Sequence, residues 1–142
     1  MATQTVTNER RLPLSLLPIA PSSSEQLTTE GLAATHMALD LLRLWIASVE
    51  AMDAMAGPCE GDMEALGLTM GAIRQQLERI GDDDVPCEFY AARGTLHSID
   101  LYFSALLQGC TLNELQPDVL AKSACHAYQL LAGVCSTPEH AS

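Results

Sequence analysis

The sequence predicts an all-α protein, an antiparallel four-helix bundle with an extended N-terminal arm. Three observations lead there. The chain is 48% hydrophobic but only 4% aromatic, and its apolar residues are mainly Leu, Ala, Met and Ile, which favour helix over strand. Apolar residues recur at alternating steps of three and four, the spacing of one helical face. Gly and Pro punctuate the chain at Gly57-Pro58, Gly81 to Pro86 and Gly109 to Pro117, cutting it into segments of helical length. A length of 142 residues suits a single domain.

Residues 1–23 are expected to form a Ser/Thr/Pro-containing arm, because Pro13, Pro18 and Pro21 oppose helix. Leu12, Leu14, Leu16, Leu17 and Ile19 make the arm too apolar for a plain linker. It should lie on its own bundle or on a partner. The bundle is placed at residues 24–136, and 137–142 form a tail.

The first helix is expected from about Ser24, where Ser22 and Glu25 have capping-box spacing, to about Ala56, with a break near Gly31. Met37, Leu41, Leu42, Leu44, Trp45, Val49 and Met52 spread over more than half its circumference at about 100° per residue. A helix this apolar is central or engaged on two sides, and a homodimer is one way to cover it. The second helix is expected over Cys59 to Ile80, with Met63, Leu66, Met70, Ile73, Leu77 and Ile80 as its stripe. Gly67 and Gly71 flank that stripe at a spacing that lets another helix come close. The third runs from Pro86 to about Gln108, with Phe89, Ala92, Leu96, Ile99, Phe103 and Leu106 inward and Gly109 closing it. Thr111 and Glu114 offer another capping box before Pro117-Asp118. The last helix ends near Cys135 and carries Leu120, Ala124, Ala127, Leu131 and Val134. Short connections favour antiparallel neighbours.

The charge balance is acidic, 18 Asp+Glu against 7 Lys+Arg for a net charge of −11. Such a surface repels phosphate backbones, so no nucleic-acid partner is expected, and it favours a basic protein partner. No run of about 18 apolar residues is present, so no membrane span is expected. Five cysteines without a CxxC or CxxxC pair argue for reduced thiols and against a structural zinc site. The expected compartment is the cytoplasm. Arg10-Arg11 before Leu12 to Ala20 loosely resembles a twin-arginine signal, but Pro13 and Pro18 interrupt it and Pro21 follows Ala20. An exported, effector-like protein is the alternative. Lys122 is the only lysine beside six arginines, a usage that suggests a GC-rich bacterial genome.

Candidate chemistry centres on four positions. His97 points roughly 130° from the third helix's stripe, with Asp100 within reach on its flank. Histidine phosphotransfer domains resemble this layout in architecture, but Ser98, Ile99 and Asp100 follow His97 where that family carries a lysine and a glycine. His36 and Asp40 have i, i+4 spacing that suits two metal ligands, yet no helix carries the Glu-x-x-His of di-iron bundles. Cys59 and Cys87 lie near helix N-termini, but acidic neighbours favour the thiol over the thiolate. An antiparallel bundle would put Cys59 with Cys110 at one end and Cys87 with Cys135 at the other. No phosphate loop, serine elbow or zincin motif occurs. No cofactor, no metal and no catalytic residue is therefore expected.

What remains is interaction. Tyr90, Gly94, His97, Leu101 and Ala105 form a second face of the third helix almost without charge, where Lys, Glu and Arg are expected. The expected interaction residues are Tyr90, Gly94, His97 and Leu101 on that face, Leu44 and Trp45 on the first helix, and Leu14 and Leu17 in the arm. The expected function is protein binding as an adaptor, regulator or inhibitor. A phosphotransfer or ligand-binding bundle using His97 or His36 is the alternative.

Overall fold

The computed structural model describes residues 16–22, 25–55, 60–81, 85–111 and 117–136. Four helices occupy them: α1 Thr29–Ala54, α2 Glu60–Glu78, α3 Cys87–Leu107 and α4 Pro117–Cys135. Each packs on its neighbours in chain order, and α4 closes the ring on α1. Gly31 lies beside Ile80, and the Trp45 indole donates to the Leu66 carbonyl at 3.0 Å. Gly67 faces Phe103 and Leu107, while Arg74 meets Asp100. These pairings run in opposite senses along the chain, so α1, α2 and α3 are successively antiparallel.

The expected stripes on α2, α3 and α4 face the core, with Met63, Ile80 and Leu106 at their ends only half-buried. Leu66, Met70, Ile73, Leu77, Phe89, Ala92, Leu96, Ile99, Phe103, Leu120, Ala124, Ala127, Leu131 and Val134 are all buried. Trp45 fills the centre, with its ring edge-on to Phe103 at 6.0 Å between centroids.

Local chemistry sets the ends. The first helix begins later than the capping-box spacing suggests. Thr28 is its N-cap, and the Thr28 hydroxyl accepts the Gly31 N–H at 3.0 Å. No break occurs at Gly31, which lies inside the helix and accepts the Thr35 hydroxyl on its carbonyl at 2.8 Å. Ser22 serves a tertiary contact instead, as described below. Gly109 has φ +86° and ends α3. Its N–H donates to Leu106 O, and the Cys110 N–H donates to Ala105 O, both at 3.0 Å, the two bonds of a glycine C-terminal motif. The capping box at Thr111 and Glu114 extends outside the described residues.

The described part of the arm packs on the bundle of its own chain. The Ile19 N–H donates to Gln129 O at 3.0 Å, and Leu16 and Ile19 pack against the core. Ser22 then reaches α3. Its backbone N–H and its hydroxyl both donate to Glu88 Oε2, at 2.8 and 2.7 Å. The arm therefore covers α4 and the edge of α3 next to it.

By length and mean hydropathy alone helix α1 is apolar enough to cross a membrane, as the core helix of a bundle also can be: Thr29–Met52 spans 24 residues with a window of mean hydropathy 1.3. In the bundle 44% of that window is buried, so an apolar helix has one face in the core and leaves another outside.

Candidate interaction surface

The outer face of α3 is built by helical spacing. Inward residues Phe89, Ala92, Leu96, Ile99 and Phe103 fix the rotation of the helix. At about 100° per residue, Tyr90, Gly94, His97 and Leu101 then point outward on the side of α2. All four are exposed. Tyr90 at 44% and Leu101 at 56% are large apolar-bodied groups in solvent. Leu107 at 46% extends the same side.

Between this face and the end of α2 lies a cleft of about 520 Å³, lined by Arg74, Glu78, Ile80, Gly81, Tyr90, Arg93, Gly94 and His97. Arg74 anchors its floor. One guanidinium nitrogen meets Asp100 Oδ2 at 2.8 Å and another meets Glu78 Oε2 at 3.0 Å. The hydrogen bond to Asp100 holds the guanidinium above its already high ordinary pKa, against partial burial. Asp100, expected beside His97, is thus turned to α2. Arg93 lies over both the Phe89 and Tyr90 rings, 5.2 Å from each centroid, and reaches Ile80 O at 3.4 Å. A second cleft of about 530 Å³ separates the start of α1 from the end of α2, with Thr28, Ala34, Met37, Arg79 and Val85 in its walls.

The other expected interaction residues separate. Leu44 is 59% exposed and Leu17 73%. Trp45 is 1% exposed and belongs to the core, because it shares the inward side of α1 with Leu42 and Val49. It cannot contribute to an outer surface. Leu14 lies outside the described residues. Sequence reasoning missed Arg74, Glu78 and Arg93 as cleft residues. The i, i+4 spacing of Arg74 and Glu78 was the one available signal, since Arg93 reaches the cleft, and Asp100 reaches Arg74, only through the α2–α3 contact.

His36 and Asp40 are both exposed on α1. Among the described residues no group of three or more His, Cys, Asp or Glu side chains gathers as a metal site would require. His126 is exposed on α4. Cys87 and Cys110 are exposed, Cys125 is buried and Cys135 partly so, and all four are free thiols. Burial pushes the Cys125 and Cys135 thiols up to about 11. Cys59 lies outside the described residues, and with it the placement expected for it at one end of the bundle with Cys110.

Comparison of the chain with protein-family models, with curated proteins and with solved structures returns no match.

Proposed function

We propose that the protein works by binding another protein through the outer face of α3, as an adaptor, regulator or inhibitor without catalytic chemistry of its own. The observation that carries this reading is the exposure of Tyr90, His97 and Leu101 on one uncharged face beside a cleft. Apolar burial would supply affinity. The net charge of −11 would select a partner with basic residues around an apolar centre. The test is co-purification from cells that make the protein, comparing Leu101→Glu with Val119→Glu on α4. Loss of the same partner from the first variant and its retention by the second support the reading. Equal retention by both contradicts it.

A second reading rests on the neighbours of His97. The sequence supplies no lysine behind this histidine, but Arg74 and Arg93 line the same cleft. Arg74 also keeps a buried Nε–H with no acceptor among the described residues. A phosphoryl group on His97 would find cations there. Incubation with phosphoramidate followed by phosphorus NMR distinguishes this reading. A phosphohistidine signal that His97→Ala removes favours it, and no signal rejects it.

A further inference from the structure

We infer that the outward face of α1 seats a second copy of this chain, docked antiparallel about a twofold axis that passes between Asp40 and Leu44 on that face. This goes beyond the α3 reading and stands on different residues.

Ala33, Met37, Asp40, Leu44, Ala47 and Ala51 are all exposed. They follow one another at steps of four, three, four, three and four, which is the seam spacing of a coiled coil. Met37 is 54% and Leu44 59% exposed. The bundle uses the opposite side of the helix, through Ala38, Leu42, Trp45 and Val49. The described part of the arm lies on α4 and leaves this seam uncovered.

Charge and size select the occupant. In the antiparallel register centred on residue 42, Met37 meets Ala47 of the second copy, Ala33 meets Ala51, and Leu44 meets Asp40. No layer sets two large side chains against each other, so the helices approach closely. His36, Arg43 and Glu50 are exposed along one flank. The same register sets His36 beside Glu50 of the second copy, and gathers the two Arg43 side chains with the two Asp40 carboxylates. A parallel dimer would instead stack Asp40 on Asp40, Arg43 on Arg43 and Glu50 on Glu50. Neither Asp40 nor Arg43 forms an ion pair inside the chain among the described residues. The seam is roughly 30 Å long at about 1.5 Å per residue and about 10 Å wide. That is a small interface, so the dimer should dissociate in the micromolar range.

The test is sedimentation velocity of the reduced full chain across micromolar concentrations. The proteins are wild type, Leu44→Glu, Leu101→Glu, Asp40→Arg, Arg43→Asp and the double charge reversal. Expected are a wild-type monomer–dimer equilibrium and a dissociation constant raised roughly tenfold or more by Leu44→Glu. Each single reversal should weaken the dimer, the double reversal should restore it, and Leu101→Glu should leave it unchanged. Circular dichroism melts confirm that each variant folds, since every substituted side chain is solvent-exposed. A wild type that stays monomeric overturns the inference. So does a dimer that Leu44→Glu leaves intact or that Leu101→Glu dissolves, the latter placing the second copy on α3. Failure of the double reversal to restore the dimer overturns the register. A monomer that co-floats with phosphatidylcholine vesicles assigns the seam to lipid instead.

Discussion

The backbone carbonyl of Ile19 occupies the space that a side chain at Gly133 would fill. The arm thus docks on α4 through a helical glycine, and its hydrogen bond to Gln129 lies one turn away. Alanine in a helix interior is ordinarily worth up to about 1 kcal/mol over glycine. At residue 133 the sign reverses, because a methyl group evicts the arm and exposes Ile19, a loss of about 1–2 kcal/mol. Gly133→Ala should leave helix content unchanged, release the Ile19 amide to fast hydrogen exchange and lower the melting temperature.

The second anchor of the arm depends on pH. The backbone N–H and hydroxyl of Ser22, with Glu88's own backbone N–H, hold the Glu88 carboxyl below its ordinary value of 4.5. A carboxylate depressed in the folded state stabilises the fold fully above its unfolded value and loses that effect as pH falls through the folded value. The anchor should therefore be complete at neutral pH and fail only below pH 4.5. The protection of the Ser22 amide against hydrogen exchange, followed by NMR relative to the intrinsic rate at each pH, should fall in that window, and Glu88→Gln should show the lower protection already at pH 7.

Gly67 and Gly71, alike in spacing, should respond differently to alanine. A methyl group at Gly71 meets nothing within 4 Å, whereas at Gly67 it comes to 3.1 Å from Leu107 Cδ1 and 3.4 Å from Phe103 Cβ. Gly71→Ala should raise stability by up to about 1 kcal/mol. Gly67→Ala should fall short of that gain, because Leu107 must move. Urea denaturation of both variants checks the difference.

Thiol reactivity should follow burial. Cys87 and Cys110 are exposed, and alkylation with iodoacetamide at pH 7.5 should reach them first. Cys125 and Cys135, raised to about 11, stay protonated there and should react only on unfolding. Groups raised in this way favour the fold below the ordinary thiol value of 9.0 and lose that contribution as pH rises towards 11. Both effects are read by mass spectrometry of peptides labelled before and after denaturation.

The bundle was legible because its determinants are local. The stripes of α2, α3 and α4 each repeat one face, and Gly109 stops α3 through its own dihedral preference. Where several local signals compete, or where distant residues decide, the sequence was not enough. Ser22 and Glu25 have the spacing of a capping box, yet Ser22 bonds Glu88, which is 66 residues away. Thr28 caps α1 instead. Trp45, expected on the interaction surface, lies in the core; α1 is apolar on both sides, and periodicity alone does not orient it. The cleft beside His97 was hidden because Arg74, Arg93 and Asp100 converge only through the α2–α3 crossing. The docking role of Gly133 exists only once the arm lies on α4.

The measurement that bears most directly on the functional account is photo-crosslinking from two positions of the full chain in cells that make it. A benzophenone amino acid is placed at Leu101 on the outer face of α3, and separately at the exposed Lys122 on α4. The account predicts one discrete crosslinked species from position 101, absent from position 122 and lost when Tyr90→Glu is added. Equal crosslinking from both positions, or none from position 101, would contradict the assignment of this face to a partner.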